Sequence, residues 1–579
     1  MLTALINHLA RRPAPPAPVA DPDALRATPL GPLVGFADQR GTHAWLGIAY
    51  AQPPVGSLRW KAPRAPLAWR EPKAALAYGP IAMQFAGETI GAPESTWGSI
   101  VGSEDCLTLN VRAPRMTPVE ARLARLPVMV WIHGGGNTVG TAAAYPVLRN
   151  LAGHDQVLVV SLNYRLGIFG WFSLAELASD GDTPEDRSGN FGTLDIIAAL
   201  NWVRQNIASF GGDPDNVTVF GESAGALNVY SLLASPLAKG LFHKAIAQSP
   251  LTLSNTVEQA RSGHALGSRA LLERWRCAPD ALRARPAAEL LAAIVPGPLG
   301  FYDTPQLLRD GVVLPLAPMQ ELFTDTKRYN AVPLIIGSNR DEYKLFMAKN
   351  PEFVRMVFGK VPLIRDRAAY ERYARYMSDL WKAACVDQQA ASMVASGNAD
   401  VWVYRFDWDE HPDLPFIHPP VLLGANHALE MAFVMRDVDG ELDPFRCVSK
   451  SNRAGRQQVS DAMGDYWTSF ARHGAPKAGA ALPAWRRWRN QADADKLMLF
   501  DSDAGGGVRM DRLQLDPEAL GRALDADPAF QPQERVKLYA RMFRWSAFVE
   551  PISAAQFSSF ARRHGQDRGA DEFRPTSWP

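Results

Sequence analysis

Val217-Thr218-Val219-Phe220-Gly221-Glu222-Ser223-Ala224-Gly225 is the stretch on which the reading of this chain turns. The run Val217 to Phe220 predicts a short buried strand, and Leu227, Val229, Leu232 and Leu233 follow directly at helical spacing. Between strand and helix stands Gly-x-Ser-x-Gly. Glycines at 221 and 225 are needed because the chain reverses so tightly at the serine that side chains there would collide with neighbouring backbone. Ser223 is thereby held out of the turn at the start of a helix, whose free N–H groups and positive dipole end favour an oxyanion beside it. The five residues alone would also fit a serine N-cap in a glycine-flanked turn. The strand before and the helix after make Ser223 read as a nucleophile.

Working outward, Val128-Met129-Val130-Trp131-Ile132, Val157-Leu158-Val159-Val160-Ser161 and Leu334-Ile335-Ile336 are similar short apolar runs, the signature of buried parallel strands. Thr193 to Phe210 carries Leu194, Ile197, Ala198, Leu200, Val203 and Ile207 at near-helical spacing and is closed by Gly211-Gly212. Strand, helix, strand in this order predicts a doubly wound α/β sheet, in which ligands bind beyond the carboxyl ends of the strands.

Those ends carry the remaining candidates. After Ile132 comes His133-Gly134-Gly135-Gly136-Asn137, where consecutive glycines leave the amides uncovered. Two N–H groups could point at one developing oxyanion, with a flexible glycine turn as the plain alternative. His133 reads as an anchor of this loop, since a base must reach the serine proton. After Ile336 comes Gly337-Ser338-Asn339-Arg340-Asp341-Glu342, which places two carboxylates past a strand end, either able to accept a histidine N–H. With chain order serine, acid, histidine, the base should follow. His411 and His418 lie in a proline-rich loop, His473 precedes Gly474 at a predicted helix end, and His564 lies in a polar tail. His427, in the turn Gly424-Ala425-Asn426-His427 ahead of Leu429, Met431, Ala432 and Phe433, is the histidine set apart, against the alternative of a structural one.

The whole chain limits the function classes. Its 579 residues, 47% apolar and 21% charged, are globular in composition, and 61 basic against 60 acidic residues give a net charge of +1. Such a balance offers no field for nucleic acid or an anionic membrane, so the expected partner is a small molecule. No run of apolar residues is long enough to span a bilayer, so no integral membrane segment is expected. Arg11-Arg12 follows the first apolar stretch instead of preceding it, the reverse of a secretory signal, and the expectation is cytoplasmic residence. Four cysteines, at 106, 277, 385 and 447, have neither disulfide-scaffold density nor metal-ligand spacing and read as mostly reduced. The division expected is an N-terminal arm or linker over 1–25, a single catalytic domain over 26–561 and a polar tail over 562–579.

These pieces resemble the type-B carboxylesterase and cholinesterase family from about Leu33 to about Phe548. The supporting strings are Leu46 through Gly56, Ser103-Glu104-Asp105-Cys106 through Val111, Asn163-Tyr164-Arg165-Leu166-Gly167, and Phe210 through Gly225. The resemblance implies an α/β-hydrolase fold: a large, mostly parallel central sheet flanked by helices, with long insertions. It implies a serine esterase with Ser223 as nucleophile, Glu342 rather than Asp341 as acid and His427 as base, with the amides of Gly135, Gly136 and Ala224 as oxyanion hole. Glu222, Ser249 and Glu430 match a supporting polar network, and Arg59 with Glu104 a structural ion pair. No metal or organic cofactor is implied. A lipase, thioesterase or amidase would share this machinery. An inactive binding protein of the same fold is the rival from another class, and the intact set argues against it.

This chain departs from the family in places. The family's common disulfide needs a cysteine before Cys106, and none precedes it here. Asn137, Asn228, Tyr343 and Pro250 replace residues usual in relatives and are expected around the pocket. Trp97 stands one position from the indole with which cholinesterases hold a quaternary ammonium, so it is expected to pack or to form an apolar pocket wall. Uncharged esters of short to medium acyl chain are the expected substrates.

Overall fold

The β-branched runs assemble side by side. In the computed structural model, which describes residues 17–574 except 359–360, 415, 444–447, 478 and 480, one large mixed sheet carries the molecule. Besides a two-residue strand at Lys73–Ala74 beside β2, its strands in chain order are β1 (Ala20–Thr28), β2 (Gly31–Asp38), β3 (Thr42–Ala49), β4 (Thr108–Pro114), β5 (Leu126–Ile132), β6 (Leu158–Leu162), β7 (Gly212–Glu222), β8 (Lys244–Gln248), β9 (Leu334–Asn339), β10 (Val401–Phe406), β11 (Leu497–Phe500) and β12 (Arg509–Asp511). In space the order is β1-β2-β3-β4-β6-β5-β7-β8-β9-β10-β11-β12. From β6 to β11 neighbours run parallel, and both margins are antiparallel. The chain leaves β5 toward β6 on one side and β7 toward β8 on the other, so the crevice above the strand ends opens between β5 and β7.

The parallel strands read as unbroken apolar runs because both faces are covered. Val128, Val130 and Ile132 of β5 belong to the core on one side, with Val217 and Val219 of β7; Met129 and Trp131 join Phe220 in the core on the other. Helix α1 (Phe191–Asn206) fills the predicted helical segment, continues as a 3₁₀ turn to Phe210 and stops at Gly211 with φ 93°, a left-handed C-cap that glycine adopts without strain. The other helices that matter for the site are α2 (Ala224–Ala234), α3 (Arg367–Lys382), α4 (Glu430–Val434) and α5 (Arg453–His473). Among the described residues no helix is long and apolar enough to cross a membrane.

Both ends of the chain differ from the sequence division. β1 begins at Ala20 and pairs with β2 through Ala20–Phe36 and Leu25–Val34, so the sheet starts within the segment expected to be an arm. Only Ala24 and Arg26 of β1 turn inward, the arginine lying over Trp45 at 4.8 Å, which gives too little apolar alternation to read as a strand. Most of the expected arm, residues 1–16, lies outside the described residues. At the other end α6 (Ala554–Arg563) and a 3₁₀ turn over Ala570–Phe573 pack Phe557, Phe560 and Phe573 into a small apolar cluster, so part of the expected polar tail is folded back.

Candidate active site

Ser223 joins β7 to α2 with φ 58° and ψ −123°, a conformation sparsely allowed for a side-chain-bearing residue. Such a kink persists only where its surroundings enforce it. A Cβ at Gly221 would lie 2.6 Å from the carbonyl carbon of Gly225, and one at Gly225 would lie 2.0 Å from the Ile132 carbonyl oxygen. Both glycines are therefore fixed by the close approach of β5 and the turn itself. Ser223 keeps partial exposure and faces a cavity of about 570 Å³.

The glycine loop after β5 lines the same cavity. Gly135 and Gly136 have φ 107° and 60°, and a Cβ at Gly135 would sit 2.1 Å from the Val139 oxygen. Among the described residues neither amide has a protein acceptor, while the Gly135 carbonyl is taken by the amides of Thr138 and Val139. Ala224 is the first residue of α2, where an N–H has no intrahelical acceptor. His133 is buried, stacks on Tyr164 at 4.5 Å and has its Nδ1 2.9 Å from the Gly134 oxygen. Burial pushes its pKa down to about 4, so it is a neutral anchor of the loop. Asn137 and Asn228 do not line the cavity. The Asn228 amide donates to Asn137 Oδ1 at 2.8 Å, and Asn137 donates to Gln306 at 3.0 Å, a buried brace behind the loop. Tyr343 and Pro250 are also outside the lining.

His427 is buried at the cavity wall with its Nδ1 2.6 Å from Glu342 Oε2. Glu342 Oε1 accepts from Ser249 Oγ at 2.5 Å and from the Asn339 amide at 2.7 Å, which fixes the carboxylate in place. Asp341 is committed elsewhere. It pairs with Arg340 at 2.9 Å and Lys344 at 3.2 Å and accepts from the Ala425 amide at 3.0 Å. Glu430 accepts from Asn339 Nδ2 at 2.6 Å and from Gln248 at 3.0 Å, and so braces β8 against β9 below the acid. The other imidazole nitrogen, Nε2, lies 3.0 Å from Glu222 Oε1. Among the described residues no hydrogen bond joins it to Ser223, although both residues line the one cavity.

This crowding of carboxylates sets the electrostatics. Burial pulls the His427 imidazolium down, but Glu222 first and then Glu342 outweigh it and raise the pKa to about 9. Burial raises Glu222 to about 8, against the attraction of His427. Burial also raises Glu430, as does the charge of Glu342. Proton release belongs to the group, not to one residue. Protonating Glu222 removes the charge that lifts His427, so the imidazole becomes less basic and its neutral form, the one able to take a proton, is populated at lower pH.

The other candidate histidines are elsewhere. His411 is buried with Nε2 2.6 Å from the Gly424 oxygen, His418 is exposed, His473 ends α5 and His564 pairs with Asp525 at 2.6 Å. Arg59 and Glu104 form a two-pronged pair at 2.7 and 2.6 Å. Trp97 is not a pocket wall: it is 46% exposed, its indole N–H donates to Ala92 and it lies outside the lining. Cys106, Cys277 and Cys385 are free thiols, and Cys447 falls outside the described residues. The sequence reading missed Trp381 and Phe346, whose rings lie 4.8 and 5.6 Å from that of His427. No local pattern marks them.

A profile described as the Carboxylesterase family matches residues 22–361 and 363–513. The para-nitrobenzyl esterase of Bacillus subtilis (strain 168) is 38% identical over 523 residues, covering 86% of this chain and 97% of that protein. Carboxylesterase 1C of Mus musculus is 32% identical over 500 residues, covering 79% of this chain and 85% of that one. Among solved structures, a carboxylesterase of Geobacillus stearothermophilus superposes with a TM-score of 0.66 at 32% identity, over 84% of this chain and 98% of that chain.

Proposed function

The chain belongs to the carboxylesterase family and is a serine carboxylesterase, and from that premise we propose that Ser223 is its nucleophile, His427 the general base and Glu342 the orienting acid. His427 takes the serine proton, Ser223 attacks the ester carbonyl, and the alcohol leaves with a proton returned by His427. Water then cleaves the acyl-enzyme by the same route. The amides of Gly135, Gly136 and Ala224 receive the oxyanion. Glu342, held by Ser249 and Asn339, keeps the imidazole in one tautomer and balances the imidazolium; Glu222 and Glu430 complete the buried support.

The observation that carries this reading is the placement of Ser223, the unengaged amides of the glycine loop and the Glu342-bound imidazole on one cavity wall. Nε2, the nitrogen not held by Glu342, is the one available to the serine proton. It approaches Glu222 in the free enzyme, and such contacts commonly rearrange when substrate arrives. The test is labelling with an organophosphate that esterifies active serines, followed by peptide mass spectrometry. Modification should fall on Ser223 and be lost in His427→Ala. A label at another serine would overturn the assignment.

A further inference from the structure

The cavity has a second polar feature that acyl transfer does not use. Arg456, in the first turns of α5, lines it and is only 4% exposed, yet among the described residues none of its three guanidinium nitrogens has a hydrogen-bond partner. Among the described residues it makes no ion pair either. Burying a charged group with nothing to pair it is costly, and arginine does not escape that cost by losing its proton at neutral pH.

The acids on the same wall are engaged with other groups. Glu441 holds Arg149 at 2.6 Å, Asp437 accepts from the amides of Glu441 and Leu442 at 3.0 and 2.6 Å, and Asp443 accepts from Val448 at 2.7 Å. Burial also favours the neutral form of Asp437. Asp443, Asp437 and Asp439 attract Arg456 through space, but among the described residues none of them hydrogen-bonds it, so its planar fork of donors is unspent. The group that matches such a fork is a carboxylate, taken two-pronged.

We propose that Arg456 is a specificity residue that binds a carboxylate carried by the ester remote from the scissile bond, so that this enzyme acts on half-esters of dicarboxylic acids and related anionic esters. The proposal rests on Ser223 being the nucleophile of this cavity. It adds a charge preference to the uncharged esters that the sequence alone suggests.

The experiment measures kcat/KM for p-nitrophenyl half-esters of linear dicarboxylic acids, succinate through suberate, beside the same esters with the distal carboxyl capped as a methyl ester. In the wild type the anionic member should be preferred at one chain length at least. Arg456→Met should cut that activity tenfold or more and leave the capped esters unchanged. Arg456→Lys should restore part of it. Thermal stability of Arg456→Met should equal or exceed that of the wild type, since an unpaired charge has been removed; a structural role for Arg456 would lower it. Should Arg456→Met fail to fold, the wild-type comparison still decides. Capped esters preferred at every chain length, or equal losses on both series, would overturn the proposal while leaving the nucleophile intact. Calorimetric binding of the half-esters to Ser223→Ala, with and without Arg456→Met, separates the two readings, because it needs no turnover.

Discussion

At the scale of the residue, one buried carboxylate beside an imidazole has different work from its neighbour in sequence. Glu342→Gln should cost about 10⁴-fold in kcat by mis-setting the imidazole tautomer. Asp341→Asn should cost far less turnover and mainly stability, because Asp341 holds Arg340, Lys344 and the Ala425 amide. Steady-state kinetics on an aryl ester with denaturation midpoints distinguishes them, and reversed costs would refute the assignment. Glu222 and His427 give a second prediction. In the fold Glu222 keeps a proton between pH 4.5 and about 8, and His427 between 6.5 and about 9, ranges in which the unfolded chain has released them. The folded state binds more protons there, so stability falls as pH rises through these windows. The melting temperature should therefore decline from about pH 5 to about pH 9, and less steeply in Glu222→Gln. The acid limb of kcat/KM, which follows deprotonation of His427, should also move to lower pH in that variant. Equal slopes and an unmoved limb would show that Glu222 does not act on the imidazole.

At the scale of the element, the site depends on how closely β5, β7 and α2 approach. Gly225→Ala puts a Cβ 2.0 Å from the Ile132 oxygen, backbone that cannot step aside, and overpacking of this kind costs about 1–3 kcal/mol. Chemical denaturation should report that loss together with a fall in kcat, whereas Gly181→Ala, with open space around it, should change neither. Equal behaviour of the two variants would mean that the turn tolerates more than its geometry allows. Helix α3 shows what an element adds beyond its own pattern. It runs into a π turn over Ala383–Asp387, a local widening frequent at functional sites, beside the Trp381 ring that covers His427.

At the scale of the molecule, segments hundreds of residues apart close one cavity. The glycine loop, the serine turn, α3, the His427 segment, α5 and Phe548 all contribute to its wall. Phe548 stacks on Trp381 at 4.6 Å, so the far end of the chain limits the room beside His427. Phe548→Ala should raise kcat/KM for bulky esters relative to small ones by severalfold. A panel of aryl esters of increasing acyl size measures it, and an unchanged ratio would show that this ring does not set the limit.

What the sequence determined by itself was local. Apolar runs of strand length, the helical spacing of Thr193–Phe210 and the glycines around Ser223 report steric and solvent demands met within a few residues, so the parallel sheet, the tight turn at Ser223 and the uncovered amides were legible. Local chemistry placed two carboxylates after β9 and set His427 apart, but chose between Asp341 and Glu342 only through family likeness. The tertiary structure separates them, because β10 and the Gly424 turn draw Asp341 to Arg340 and Ala425 while Ser249 from the next strand holds Glu342 toward the imidazole. Trp97, Asn137 and Asn228, expected near the pocket, lie outside its lining because side-chain direction depends on what packs behind each loop. Arg456 was invisible for the same reason. An arginine on a helix is ordinary in sequence, and only the packing of α5 against the cavity leaves its charge buried and, among the described residues, without a hydrogen-bond partner.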